Sequence, residues 1–258
     1  MTDSAEPKQP LGVGGIIGET FSLFFANILT AGGIAMIPVA VVTLVSVLIF
    51  GLEMAAGADF DPATLGDGFV GGFGFVMILQ MIAYSVATAM LVSFAYDRKL
   101  GRKVRFGAYL SGVAKQILPL VVLGIVFYLC FVIGLALLIL PGLWIMAVWA
   151  AWAPVVVIEN AGFGALGRSS ALTKDYRWPI IGLLVITFIL MFLLSFVLAF
   201  IVGLLITIGG GLIISVLLNL VVSAVTFAFG SMMMALLYAR LREIKEGVSV
   251  EHLADVFA

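Results

Sequence analysis

Between Arg177 and Arg240 the chain has 62 consecutive residues without a charge, WPIIGLLVITFILMFLLSFVLAFIVGLLITIGGGLIISVLLNLVVSAVTFAFGSMMMALLYA (178–239). A helix that crosses the hydrocarbon core of a bilayer needs about 20 apolar residues. The run is therefore long enough for two membrane-spanning helices and a connection. Three glycines at 209–211, near the middle of the run, are the predicted connection.

Three further uncharged runs have 33, 29 and 43 residues, after Glu19, Asp67 and Lys115 respectively. The first two fit one span each, and the third fits two spans with a turn at Pro141-Gly142. The apolar and polar residues of these runs do not alternate, which argues against a membrane β-barrel. The predicted fold is all-α, a polytopic membrane bundle of six helices. The spans are predicted near 31–52, 69–96, 118–140, 142–159, 179–207 and 212–239.

The basic residues predict the orientation of this bundle. All 13 Lys and Arg fall at Lys8, in 98–115, in 168–177 and from Arg240 onward, and six spans place these segments on one side. The loop 51–68 on the other side has four acids and no base. Because basic loops stay in the cytoplasm, both termini are predicted to be cytoplasmic. The domains are then a disordered cytoplasmic tail (1–10), a single membrane domain (11–240) and a cytoplasmic tail (241–258).

Each pair of spans follows a shorter amphipathic segment, at 14–29, 103–117 and 162–177. The second and third both contain Phe-Gly-Ala and end before a proline that opens the next span. An apolar face opposite polar residues is typical of a helix that lies in the membrane interface. We predict three interfacial helices on the cytoplasmic side, and a threefold repeat of interfacial helix plus hairpin.

The third segment also contains a G-x-G-x-x-G pattern at Gly162, Gly164 and Gly167. A dinucleotide site requires a βαβ unit and an acidic residue about 20 residues further on. Only uncharged residues follow Arg177 there, so a nucleotide site is not predicted. The small residues instead favour close packing of this segment on the bundle.

The stretch LLILPGLWIMAVWAAWAPVVVIENAGFGALGRSSALTKDYRW (137–178) resembles a signature of the glycerophosphodiester phosphodiesterase membrane-domain family. Its matching features are a Pro-Gly pair, an acid at the end of the span, Ala-Leu-x-Arg-Ser-x-x-Leu-Thr-Lys, and a Trp. Asp175 stands where a Gly is common in the family. The tail LLYARLREIKEGVSVEHLA (236–254) is similar to the family's ending.

This resemblance implies a stand-alone relative in a bacterial inner membrane. In the fused members a separate soluble barrel domain hydrolyses the phosphodiester, and 258 residues with six spans are expected to leave no room for it. The stand-alone relatives are largely without an assigned function.

The sequence offers little for catalysis. His252 is the only histidine and Cys130 the only cysteine, and the acids are scattered singly. Enzymes need positioned acids, bases, nucleophiles or metals. We therefore predict no catalytic activity, no cofactor and no metal site.

The cytoplasmic cations are the predicted contact surface for anionic lipid head groups, to which each contributes about 1 kcal/mol. Docking of an acidic partner protein to the 98–105 cluster is the less favoured alternative, and no nucleic acid is expected. Glu159 is predicted to form an ion pair with Arg168. The predicted contact residues are Arg98, Lys99, Arg102, Lys103, Arg105, Arg168, Lys174 and Arg177.

A few polar residues interrupt the spans and are predicted to face the interior of the bundle. They are Gln80 in the second span and the stripe Ser215, Asn219, Ser223 and Thr226 in the sixth. Such a stripe usually marks close helix packing, and a solute pathway is the alternative. Trp144 is predicted in an outer aromatic belt and Trp178 in an inner one.

Two functions remain open. The first is a structural or accessory membrane protein that contacts another membrane component or organises lipid. The second is a small transporter or channel. Ionisable residues inside a span would favour transport, and their absence from the centres of the predicted spans favours the first function.

Overall fold

The computed structural model describes residues 9–52, 69–205 and 211–247, and these ranges are helical with no strand. Six helical stretches are long and apolar enough to cross a membrane, which confirms the predicted membrane class and number. They are Ile28–Phe50, Gly71–Lys99, Phe106–Leu137, Ile139–Glu159, Arg177–Ile201 and Gly211–Glu246. Most of the predicted N-terminal tail, most of the acidic loop and the end of the C-terminal tail lie outside the described residues.

The helices are numbered here in chain order. They are α1 (Val13–Ala26), α2 (Ile28–Phe50), α3 (Phe69–Lys99), α4 (Phe106–Leu137), α5 (Ile139–Val148), α6 (Trp152–Glu159), α7 (Ala165–Thr173), α8 (Arg177–Leu205) and α9 (Gly211–Glu246). A short 3-10 turn, Gly162–Gly164, leads into α7. Helix α9 includes the first six residues of the predicted C-terminal tail 241–258, which are therefore helical.

Helix α9 lies at the centre of the bundle and contacts α1, α2, α3, α6, α7 and α8. Its second half is buried, and the Tyr238 side chain is fully enclosed. The α8 surface is mostly exposed and apolar, as expected of a helix whose solvent is lipid. The core therefore lies around the half of α9 that ends in charged residues.

Helix α1 does not lie apart from the bundle. The rings of Phe21 and Phe24 pack 4.8 and 5.7 Å from Phe229 of α9. Arg240, further along α9, donates a hydrogen bond to the backbone oxygen of Pro10. Helix α1 therefore runs antiparallel along α9, with its apolar side against that helix.

The predicted separate helix at 103–117 is wrong, because α4 continues without a break from Phe106 to Leu137. Pro119 lies inside this helix. A proline removes one backbone hydrogen bond and favours a kink, but here the helix continues past it. The three segments predicted as repeat units therefore do not share one arrangement.

The turn between α4 and α5 is at Leu138, which has an extended backbone, and not at Pro141-Gly142. Pro141 lies in the first turn of α5, where a helix needs no backbone N–H from it. Gly142 permits a close helix crossing. A Cβ on Gly134 of α4 would lie 3.0 Å from the backbone N and Cα of Gly142. The Pro-Gly pair therefore lies in the first turn of α5 and packs that helix against α4, and it does not form the connection that the sequence predicted.

The fourth apolar stretch is two helices, with a break at 149–151 between α5 and α6. Pro154 lies in the first turn of α6, where its missing N–H is tolerated. An unbroken helix would need that N–H, so the proline accounts for the restart. The break leaves backbone groups of Val148 and Ala151 without helical partners, and α7 supplies them.

Trp144 is not in a belt opposite Trp178, and that prediction is wrong. The two rings lie 5.8 Å apart, edge to face. The guanidinium of Arg177 lies 5.3 Å from the centre of the Trp144 ring. Trp144 of α5 therefore lies beside the first two residues of α8. Attraction between the cation and the aromatic ring stabilises this position.

Candidate functional site at the charged end of the bundle

The basic segments that lie far apart in the sequence meet at one end of the bundle, called here the charged end. Four contacts join them across the chain. They are Tyr176 Oη to Gln9 O (2.8 Å), Lys99 Nζ to Glu19 Oε1 (2.7 Å), Arg240 Nη2 to Pro10 O (3.3 Å) and Lys245 Nζ to Asp175 Oδ2 (3.1 Å). The described basic residues therefore share one side, as the charge pattern indicated.

An ion-pair network joins α6, α7 and α9 at this end. Arg168 donates from Nε and Nη2 to the two oxygens of Glu159, at 2.8 and 3.0 Å. Tyr238 Oη donates to Glu159 at 2.9 Å, and Arg168 also bonds Glu246, which Arg242 holds at 2.8 Å. The hydrogen bond to Glu159 has the largest effect on the pKa of Arg168 and raises it above its ordinary value. The hydrogen bond to Glu246 raises it as well. The predicted Glu159–Arg168 pair is thus formed, as part of a larger network.

Helix α7 supplies hydrogen-bond partners to the backbone groups at the break in the fourth apolar stretch. Ser169 Oγ accepts the N–H of Ala151 at 3.2 Å and lies 3.2 Å from the carbonyl oxygen of Val148. Thr173 Oγ1 donates to the same carbonyl at 2.9 Å. Ser169 and Thr173 are both fully buried. These hydroxyls therefore bind backbone, and they are not available to a phosphate ligand.

A second cluster surrounds Asp97 at the end of α3, which is buried. Tyr109 Oη donates to Asp97 Oδ2 at 2.9 Å, and Arg105 lies 3.2 Å from the same oxygen. Arg102 lies 3.7 Å from Oδ1. The acid fixes two of the predicted contact residues at the mouth of a cavity of about 420 Å³ between α3, α4 and α6.

The predicted contact residues separate into two groups. Lys99, Arg102, Arg105 and Arg168 bind acids of the chain itself, and Arg177 binds the Trp144 ring. The second group is exposed and, within 9–52, 69–205 and 211–247, has no acidic partner. It consists of Arg98, Lys103 and Lys174, with Lys115 in addition.

The predicted interior polar residues also separate. Ser215 is buried and donates to the backbone of Gly211, while Gln80, Ser223 and Thr226 are half-buried. Asn219 is exposed on the surface of the chain, so its predicted interior position is wrong. Ser223 donates to Asn219 Oδ1 at 3.2 Å, one turn further along α9. This hydrogen bond within α9 gives the amide oxygen of Asn219 a partner without a contact from another helix.

Gln80 lines a second cavity of about 420 Å³, between α3 and α4 with Trp152 at its base. A third and larger cleft, of about 680 Å³, lies between α2 and α3 and is lined by apolar side chains, Thr30 and Gly33. No group of three His, Cys, Asp or Glu side chains in the described part of the chain is placed to hold a metal ion.

The sequence reasoning missed Asp97, Tyr109, Tyr238 and Glu246 as members of these clusters. Asp97 is the only acid beside the 98–105 basic group, and Tyr238 is a polar aromatic directly before the basic end of α9. A lone acid among bases indicates an internal ion pair. Tyr109 gave no signal of this kind. The spacing of Arg242 and Glu246 is that of an ordinary (i, i+4) helix pair, and it gives no sign of the contact with Arg168, which is distant in the sequence.

Comparison with known proteins gives no relative of this chain: no family model, no curated protein and no solved structure matches it. The resemblance to the glycerophosphodiester phosphodiesterase membrane-domain family therefore stays a prediction. The helices and the charged end define the class, a multi-pass α-helical membrane protein.

Proposed function

We propose that this is an inner-membrane protein of a bacterium that works through contacts and not through catalysis of its own. It acts as an accessory component or organiser of lipid, and its charged end faces the cytoplasm. In this arrangement α1, the start of α4 and α7 lie at the boundary between membrane and cytoplasm.

The observation that carries the proposal is the imbalance of charge at the charged end. All six acidic side chains of the described residues are engaged in ion pairs with the chain's own cations. Arg98, Lys103, Lys115 and Lys174 are exposed and have no acidic partner among those residues. A surface with excess cations attracts anionic lipid head groups.

Orientation is tested by cysteine labelling in a Cys130→Ser background. A cysteine at Lys174 is expected to react with an impermeant maleimide only from the cytoplasmic side. A cysteine at Asp61, in the acidic loop outside the described residues, is expected to react only from the opposite side. If both positions react from the same side, the proposed topology is wrong.

Lipid organisation is tested in vesicles that mix phosphatidylglycerol and phosphatidylcholine. Energy transfer from the protein's tryptophans to a labelled lipid should show phosphatidylglycerol enriched around the wild type. We expect the variant Arg98→Gln/Lys103→Gln/Lys174→Gln to lose most of this enrichment, because each removed cation contributes about 1 kcal/mol.

The control is added salt, since screening weakens exposed charges with a Debye length near 8 Å at physiological ionic strength. High salt should therefore reduce the enrichment by the wild type and change that of the triple variant little. Equal enrichment by the two proteins at low salt would contradict a lipid-organising role for this surface.

One observation favours the alternative function, a small transporter or channel. Gln80 lines the cavity between α3 and α4, and no described residue forms a hydrogen bond with its amide. An unpaired amide in hydrocarbon costs a few kcal/mol, so a polar solute or water would stabilise it. Solute movement into proteoliposomes that is abolished by Gln80→Leu would establish this alternative.

A further inference from the structure

Two cavities between α3 and α4 are both lined in part by α6, and they are called here the head cavity and the tail cavity. The head cavity is lined by α3 within 93–97 and by α4 within 105–116. The tail cavity is lined by α3 within 77–88 and by α4 within 120–128. On both helices the two sets of residues are separated by about one turn, roughly 6–8 Å at 1.5 Å per residue. Each cavity has a volume of about 420 Å³.

The head cavity carries a net positive charge. Arg102, Arg105 and Lys115 line it together with one acid, Asp97. The Asp97 carboxylate already accepts hydrogen bonds from Tyr109 and Arg105, and it forms an ion pair with Arg102 at 3.7 Å. Each arginine has five N–H donors, so most of them remain available, and Lys115 has no acidic partner among the described residues. This cavity is therefore complementary to a phosphate group.

The tail cavity is mainly apolar. Its lining includes Met77, Leu120, Phe127 and Trp152, and most of the lining surface is carbon. Gln80 is near the far end of the cavity, away from the cations. An acyl chain that enters from the head cavity would bury its length against apolar side chains before it reaches this amide.

We propose that the two cavities together form a groove that binds one anionic glycerophospholipid, with the phosphate in the head cavity and an acyl chain in the tail cavity. From Ser93 to Met77 the groove follows α3 for about 24 Å at 1.5 Å per residue. One leaflet with its head groups is about 20–22 Å thick, half of the 40–45 Å bilayer. The groove therefore matches a lipid of the leaflet at the charged end, in both length and polarity.

This site rests on the proposed lipid-organising function and gives it one specific ligand class. The larger cleft between α2 and α3 is less suited to an anionic lipid. It has no charged lining residue, so nothing there would select a head group. It serves instead as a control, because a bulky residue at Gly33 would fill that cleft without contact to the groove.

The test is lipid binding to the purified full chain in mild detergent, measured by native mass spectrometry. Phosphatidylglycerol and phosphatidylcholine with the same acyl chains are titrated as probes. We expect the wild type to retain one phosphatidylglycerol at least tenfold more tightly than phosphatidylcholine. Soluble glycerol phosphate at a hundredfold excess should not displace the lipid, and displacement would overturn the role of the tail cavity.

Two variants address the two cavities separately. Arg102→Gln/Lys115→Gln should weaken phosphatidylglycerol binding about 30-fold, the factor for about 2 kcal/mol at 1.4 kcal/mol per tenfold change. In this variant Arg105 and Tyr109 still bind Asp97, which protects the fold. Thr88→Phe, which fills the tail cavity, should reduce the retention of both lipids by at least tenfold.

Matched controls distinguish the groove from the surface. Arg98→Gln/Lys103→Gln removes the same charge at the same end but does not line the head cavity, and Gly33→Phe adds the same bulk elsewhere. Both should retain phosphatidylglycerol as the wild type does. If Arg98→Gln/Lys103→Gln weakens binding as much as Arg102→Gln/Lys115→Gln does, the groove proposal fails and the broader lipid-organising function stands. If the wild type retains both lipids equally, the groove proposal fails, and the vesicle enrichment decides the function independently.

Discussion

The double variant Ser169→Ala/Thr173→Val is expected to be strongly destabilised, by about 2–6 kcal/mol. The two hydroxyls bind the Val148 carbonyl and the Ala151 N–H at the break between α5 and α6. Without them a buried acceptor and a buried donor lose their partners, and each such group costs about 1–3 kcal/mol. Thermal or denaturant unfolding in detergent, followed by circular dichroism, measures the loss.

Ser170→Ala is the matched control for this variant. Ser170 is the neighbour of Ser169, but its hydroxyl does not contact the break; it lies 3.5 Å from Arg177 Nη2, at the limit of a hydrogen bond. A change within about 0.5 kcal/mol is expected, as for most surface substitutions. If the double variant is as stable as Ser170→Ala, α7 does not support the break.

The fold class was predictable because it depends on composition over long windows. Uncharged runs long enough for two helices specify two helices whatever their tertiary contacts are. The prediction that the basic segments share one side followed from the same number of spans. Both predictions depend on the composition of long segments and on the membrane around them, and not on contacts between particular side chains.

The details that the sequence did not predict depend on contacts between distant residues. Pro141-Gly142 has the composition of a turn, yet it lies inside the first turn of α5, where the glycine permits the close approach of α4. Trp144 has the composition of a belt residue, yet it binds Arg177 from another helix. Short-range patterns are ambiguous at such positions, because a turn and a close crossing both favour glycine.

Asp175 shows how structure can explain a local departure from a pattern. Its φ is +74°, in the left-handed region that glycine adopts most easily and that Asp tolerates better than most residues. Its carboxylate binds Lys245 at 3.1 Å. An acid at this position therefore accepts some backbone strain and gains an ion pair between the α7–α8 connection and α9. The sequence contains both residues but gives no sign that they meet.

Replacing Gly134 with Ala is expected to destabilise the protein by about 1–3 kcal/mol, the usual range for overpacking. The new Cβ would lie 2.9 Å from Ile145 Cδ1 and 3.0 Å from the backbone N and Cα of Gly142. The side chain of Ile145 can move, but the backbone of α5 can move only if the hairpin separates.

The control is Gly124→Ala in the same helix, and it is expected to have the opposite sign. A Cβ at Gly124 would meet the Trp152 ring at 3.6 Å, an ordinary van der Waals distance. Alanine is more favourable than glycine inside a helix by about 1 kcal/mol, so this variant should be as stable as the wild type or more so. Both substitutions change the helix propensity of α4 equally, and the difference between their unfolding free energies therefore measures the close crossing itself. Equal effects of the two variants would mean that α4 and α5 do not approach at Gly134 and Gly142, and that the Leu138 turn does not hold the hairpin closed.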